Sequence, residues 1–354
     1  PHFRAQPIKV CRWLDDIRSI CYGFSMQYPH PLSSAVAALM GLALVLTGCS
    51  GESAPAVNTQ DKPRIVATTG MIADVAREIA GDHAEVAQLM GAGVDPHLYA
   101  PTRTDIQKLM EADLVLYTGL LLEGRMTDTL VRAAGGDRVV VAVTDKIDES
   151  DLLMPEGFEG HPDPHVWMDV GMWKHAADRI AEALVTIQPE SEDDFNASLA
   201  AYQSRLDALD AYASDALGSI PESQRVLVTA HDAFNYMGRR YGLEVVGIQG
   251  ISTESEAGVR DIERLVELLV SRQIPAVFVE STVAERNIRA LVEGAKAKGH
   301  SVTIGGTLYS DAMGKGGTYE GTYIGMIDHN VTTIARALGG EAPAGGMQGK
   351  LGAQ

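Results

Sequence analysis

The sequence predicts an α/β protein of two lobes, each with a mostly parallel sheet flanked by helices, joined by one long rigid backbone helix. Three observations predict it. The chain has 354 residues, more than one hydrophobic core usually serves. Short β-rich runs alternate with helically spaced apolar residues, the rhythm of βαβ units and a parallel sheet. Between two such series lies a stretch almost free of Gly and Pro that carries a single apolar stripe.

In the first series, residues 64–69 (RIVATT), 85–90, 113–118 (DLVLYT) and 138–143 (RVVVAV) read as strands. Residues 71–80, 103–112 and 126–134 read as helices from their apolar spacing. In the second, strands are expected at 225–229 (RVLVT), 243–248, 276–280 and 301–304. Helices are expected at 232–241, 256–271, 284–298 and 319–338. The stripe between them is Phe195, Leu199, Tyr202, Leu206, Leu209, Tyr212 and Ala216. Its steps of three and four mark one face of a helix. About thirty residues at ~1.5 Å each span roughly 45 Å, enough to cross two lobes. A coiled-coil seam is the alternative; a spine packed across both lobes is preferred because it leaves room for a cleft.

The first residues read as something other than fold. Residues 33–46 (SSAVAALMGLALVL) are apolar and small, the length of a signal-peptide core and short of the ~20 residues that span a membrane. Leu46-Thr47-Gly48-Cys49 follows at once and resembles the bacterial lipobox, which implies cleavage before Cys49 and lipidation of its sulfur. Residues 1–25 carry Arg4, Lys9, Arg12 and Arg18. They read either as the basic start of this leader or as an extension ahead of Met26. The expected organisation is therefore a leader at 1–48 and an anchor linker at 49–62. A first lobe at 63–188, a connecting helix at 189–220, a second lobe at 221–340 and a flexible Gly/Ala-rich tail at 341–354 follow. The expected location is extracytoplasmic, lipid-anchored to the membrane.

The composition, 45% hydrophobic and 21% charged, is that of an ordinary globular protein. A formal charge of −18 argues against nucleic acid as a partner, because phosphate binding needs clustered Lys and Arg. Of the three cysteines, Cys11 and Cys21 lie in the leader and Cys49 at its end. No thiolate metal ligand or disulfide is expected in the fold.

Of ten histidines, three sit where loops would leave strands. His97 closes Asp95-Pro96-His97, His165 closes Asp163-Pro164-His165, and His231 follows RVLVT in Thr229-Ala230-His231-Asp232. Ligands of open α/β sheets gather beyond the carboxyl ends of strands, so the three point at one crevice. Imidazole is a strong zinc ligand and suits other first-row ions. Three neutral rings leave a dication uncompensated, and Asp311, in the loop after the last strand, completes the shell. Three His and one Asp then fill the coordination sphere and leave no position for an activated water. Asp95, Asp163 and Asp232 are placed to hold the second ring nitrogens. His83, His161, His175, His300 and His329 read as surface or helix residues.

Four stretches carry a resemblance: GVDPHLYAPTRTDIQKLMEADLVLYTGLLLEGRM, HPDPHVWMDVGMWKHAADRI, VLVTAHDAFNYMGRRYGLEVVGIQGISTESEAGVRDI, and TLYSDAMG with GTYEGTYIGMIDHN. They resemble the TroA-type metal-binding lipoproteins of ABC importers, in family order, over residues 64–338. The resemblance implies two four-stranded α/β lobes bridged by a rigid helix with the metal buried between them. It also implies His97 and His165 as ligands from the first lobe, His231 and Asp311 from the second, and a permease as partner. Glu280, in Phe278-Val279-Glu280-Ser281, falls in a family motif and reads as a supporting residue rather than a ligand.

The metal is zinc or manganese, with iron third. Manganese carriers of this resemblance usually have a carboxylate where His231 stands, whereas zinc carriers often have a His-rich acidic loop. Residues 148–164 here are acidic but hold only His161. A monomer without enzymatic activity is expected. An extracytoplasmic zinc hydrolase is the alternative, against which stands the lack of His-Glu-x-x-His or Gly-x-Ser-x-Gly elements. Adhesion is an added side function on which the residues are silent.

Overall fold

The computed structural model describes residues 62–352 apart from 137, 157 and 159. The leader, the lipobox and Cys49 lie outside the described residues. Strand β1 (Arg64–Ala67) pairs in parallel with β2 (Glu85–Gln88) and β3 (Leu114–Tyr117), and β3 pairs with β4 (Val139–Ala142). The order is β2-β1-β3-β4. Parallel neighbours need helical crossovers, supplied by α1 (Gly70–Ala80), α2 (Arg103–Glu111) and α3 (Thr127–Ala133). Ile65, Val66, Ala67, Leu114, Val115 and Leu116 are all buried, so the central strands are apolar on both faces, as covered parallel sheets require.

Helix α4 (Val170–Ile187) was not among the expected elements. Asp169 caps it, accepting the Met172 N–H at 3.1 Å. Its inward face is Met172, Trp173, Ala176, Ala177, Ile180, Ala181 and Leu184, helically spaced but built largely from alanine, which gives a faint apolar signal.

The predicted spine is α5 (Glu192–Gly218), 27 residues or about 40 Å. Every residue of the expected stripe is buried or half-buried. It is covered by α1 and α4 from the first half, and by α6 (Asn235–Tyr241) and α9 (Tyr323–Ala337) from the second. The chain's own helices occupy the seam that a coiled coil would need.

In the second half β5 (Val226–His231) pairs in parallel with β6 (Glu244–Gln249), and β7 (Ala276–Glu280) with β8 (Thr303–Leu308). Strand β5 also lies beside β7, but the hydrogen-bonded ladder is continuous only within each pair. At the end of that seam the His231 N–H goes to the Glu280 carboxylate, 2.8 Å away, rather than to a strand carbonyl. Helices α7 (Val259–Arg272) and α8 (Arg286–Ala297) cover this layer through Leu265, Leu269, Ile288 and Leu291. Strand β8 starts and ends later than expected because Gly305 and Gly306 belong to it. A Cβ at Gly305 would stand 2.7 Å from both Ala337 and Phe278.

One apolar core runs through the sheet of the first half, the spine and α9. Trp173 stacks on Tyr323 across it, centroids 5.3 Å apart. The tail, expected to be flexible, instead folds back as far as it is described. Leu351 is buried and the Met347 N–H donates to the buried Asp328 carboxylate at 2.9 Å. Gly346, at φ +73°, is needed there because a Cβ would stand 2.5 Å from that carboxylate. Among the described residues no helix is long and apolar enough to cross a membrane.

Candidate metal centre

Both Asp-Pro-His elements build the same local device. The Asp95 Oδ1 accepts the His97 N–H at 2.9 Å, and the Asp163 Oδ1 accepts the His165 N–H at 2.9 Å. An aspartate that bonds the backbone two residues on closes a tight turn, and the intervening proline restricts its backbone. Each turn thereby delivers an imidazole. His231 is the last residue of β5, and Asp311 follows β8 in the loop before α9.

These four side chains converge: their donor atoms lie within 4.8 Å of one another. His165 and His231 are fully buried, Asp311 is 2% exposed and His97 4%. The Nε2 atoms of His97 and His165 are 3.3 Å apart. Asp311 Oδ1 is 3.3 Å from His165 Nε2, and Oδ2 is 3.2 Å from His231 Nε2. The rings are tilted at 54°, 67° and 84° to one another rather than stacked. Although close, His231 Nε2 and both Asp311 oxygens form no hydrogen bond. Buried polar atoms are normally paired; these point at a shared centre instead of at each other. Four ligands ~2.0–2.1 Å from one ion stand about 3.3 Å apart along a tetrahedral edge, the spacing of the three short separations here. The donor set fits a divalent transition ion.

Two rings are locked from behind. His165 Nδ1 meets Asp163 Oδ1 at 2.7 Å, and His231 Nδ1 meets Glu280 Oε2 at 2.5 Å. Such a carboxylate turns the ring's other nitrogen toward the ligand and raises its basicity. Asp95 supports the His97 backbone, not its ring. Asp232 does not take the expected place: among the described residues its carboxylate bonds none of the three rings, and its Oδ1 is buried without a partner. The chain turns straight into α6 after it, and Asn235 at the first turn of that helix reaches Asp163 Oδ2 instead, at 3.1 Å.

The sequence matches, over residues 65–337, the family described as zinc-uptake complex component A, periplasmic. The chain belongs to that family. It is 48% identical over 303 residues to the manganese-binding lipoprotein MntA of Bacillus subtilis, covering 86% of this chain and 98% of MntA. It is 47% identical over 277 residues to the zinc-binding protein TroA of Treponema pallidum, covering 78% of this chain and 89% of TroA. The solved structure of the latter superposes with a TM-score of 0.76, covering 78% of this chain and 99% of that one. Relatives of nearly equal identity are thus named for different metals.

The charges within this zinc-uptake component A fold set which rings hold protons. Burial pushes His97 down to about 3, so that ring is neutral. Burial acts the same way on His165, but Asp163 and Asp311 outweigh it and bring the ring up to about 9. His231 is also opposed by burial, yet Glu280 and Asp311 carry it well above its ordinary value. Burial disfavours the Asp311 carboxylate, and the His231 and His165 rings hold it well below the carboxylate range regardless. A dication at the centre would take over the role of those protons.

Sequence reading did not find the supports that come from far along the chain. Tyr236 Oη donates to the Asp163 carbonyl at 2.8 Å, and Trp167 Nε1 donates to the Ser310 carbonyl beside Asp311 at 2.9 Å. Asn235 and Tyr236 stand four and five residues after His231, one helical turn on, which is the only local signal for them. Among the described residues the other histidines stay outside the cluster. His83 contacts Ser191 and Asp194, His300 the Ile274 carbonyl and His329 the Thr307 carbonyl. His161 and His175 are exposed.

Proposed function

We propose that His97, His165, His231 and Asp311 hold one divalent transition metal, zinc or manganese, as cargo, and that the protein delivers it outside the cytoplasm to the membrane permease of an ABC importer. The observation that carries this is the tetrahedral-edge spacing of four buried donor groups, among which His231 Nε2 and both Asp311 oxygens form no hydrogen bond. Family membership, and relatives named as metal-binding lipoproteins, support the delivery role and anchoring through Cys49, and the protein works as a monomer. Lobes at 63–188 and 221–340, with the helix at 189–220 between them, supply the two ligand pairs. Asp163 and Glu280 hold the rings; Asp95 holds the His97 loop. A nitrogen-rich set prefers zinc to manganese by intrinsic affinity, and availability decides which is carried.

This is carriage rather than catalysis. A hydrolase would need a vacant coordination position and a general base. The buried carboxylates behind the rings are already engaged: Glu280 accepts the His231 N–H and Nδ1–H, and Asp163 accepts the His165 N–H and Nδ1–H. The test is elemental analysis of natively purified protein, then zinc–manganese competition in His97→Ala and Asp311→Ala. About one ion per chain and sharply weaker retention in both variants are expected. Unchanged retention in both would overturn the site.

A further inference from the structure

The three imidazoles are not held alike. His165 and His231 are each fixed on Nδ1 by a carboxylate, whereas among the described residues no hydrogen bond reaches the His97 Nδ1. His97 depends on its loop, and that loop is held from the opposite lobe. The segment 250–258, between β6 and α7, crosses to it as a strap. The Thr253 hydroxyl donates to Asp95 Oδ2 at 2.6 Å, while the other oxygen of the same carboxylate accepts the His97 N–H. One residue further, Glu254 accepts from Arg125 Nε at 3.1 Å, and Arg125 also reaches the Leu98 carbonyl at 3.5 Å. The strap thus grips the His97 loop on both sides of the ligand. On its own lobe it is tied down by Gln249, whose Nε2 donates to the Ser255 carbonyl at 3.1 Å. A cavity of about 160 Å³ lies beside the contact, lined by Asp95, Leu98, Gln249, Thr253, Thr282 and Asn287.

We propose that Thr253 is a positioning residue for metal retention, latching the strap to Asp95 so that the His97 loop opens, and metal leaves past this cavity, only when that bond breaks. The two grips differ in strength. Arg125 and Glu254 are half exposed, and exposed ion pairs contribute little. Thr253 is buried and donates to a carboxylate, the stronger class of hydrogen bond. Metal enters and leaves by the same opening, so loss of the latch raises the release rate and does not lower the association rate. The proposal rests on the four-ligand reading of the site.

The test loads the full chain with Zn2+ and follows release into excess chelator by stopped flow. Thr253→Val removes the hydroxyl at constant shape, Thr253→Ala guards against a packing artefact, and Thr253→Ser restores the donor. Release about ten-fold faster in the valine and alanine variants is expected, the effect of losing one charge-assisted bond. The association rate should not fall below the parent's, and the serine variant should release at the parental rate. Valine and alanine variants releasing at the parental rate, or a serine variant as fast as they are, would overturn the latch. Failure of the parent to load zinc, or full retention in Asp311→Ala, would overturn the underlying site instead.

Discussion

Two carboxylates behind the rings, Asp163 and Glu280, do more than aim them. They hold protons on His165 and His231 that a metal must displace. His165 sits at about 9 and His231 well above its ordinary value, so near neutral pH the metal-free cluster carries both protons. His97, at about 3, carries none. Metal ligation needs the free Nε2 lone pair, so loading should release about two protons near neutral pH. The sign follows: apparent zinc affinity rises with pH through the neutral range and levels off only above about 9. Calorimetry in two buffers of different ionisation enthalpy reads the released protons directly. Glu280→Gln removes the charge that raises His231, so it should release fewer protons and bind zinc about 10–100-fold more weakly. An affinity flat from about pH 6 to about pH 9 would refute this account. The four converging residues were legible in sequence because His97, His231 and Asp311 follow or end strands and the Asp-Pro-His turn occurs twice, at His97 and at His165. Glu280 was legible only as part of a motif. Thr253 and Asn235 were not, since their partners stand 158 and 72 positions away.

Among elements, α5 was the most legible because its stripe of large residues runs unbroken by Gly or Pro. Helix α4 was hidden by the alanines on its inward face, and β8 by Gly305 and Gly306, which read as a turn yet pack in a strand. Helix starts were placed three or four residues too early at α6, α7 and α9, where turns precede the first helical hydrogen bond. At α9 the Thr322 hydroxyl caps that bond, accepting the Gly325 N–H at 3.0 Å. The spine's contribution is testable at one side chain. Leu206 is fully buried on α5, the helix that packs on α1, α4 and α9, and truncating a leucine in such a site costs roughly 2–5 kcal/mol through lost burial and the cavity left behind. Leu206→Ala should lower the denaturation midpoint of the metal-free protein accordingly while leaving one zinc bound per chain. A midpoint unchanged within error would mean that α5 does not carry the shared core.

At the scale of the molecule, that shared core decides how the two halves can move. Wide hinge closure needs lobes that meet at few residues. Here Trp173 stacks on Tyr323, the Tyr323 hydroxyl donates to the Trp167 carbonyl at 2.8 Å, and its N–H donates to Asp74 Oδ2 at 2.8 Å. Trp167, Trp173 and Tyr323 are fully buried. Exposing one such ring costs about 4–6 kcal/mol at ~25 cal/mol per Å² over 150–250 Å², so swinging the lobes apart would expose several at once. Movement is therefore confined to what the core leaves free, the His97 loop and the strap that holds it. Solution scattering profiles of the metal-free and zinc-loaded protein should superimpose, while hydrogen exchange slows on zinc binding around residues 95–98 and 250–258. A large compaction on loading would show that the core parts, and the spine would then be a hinge rather than a brace.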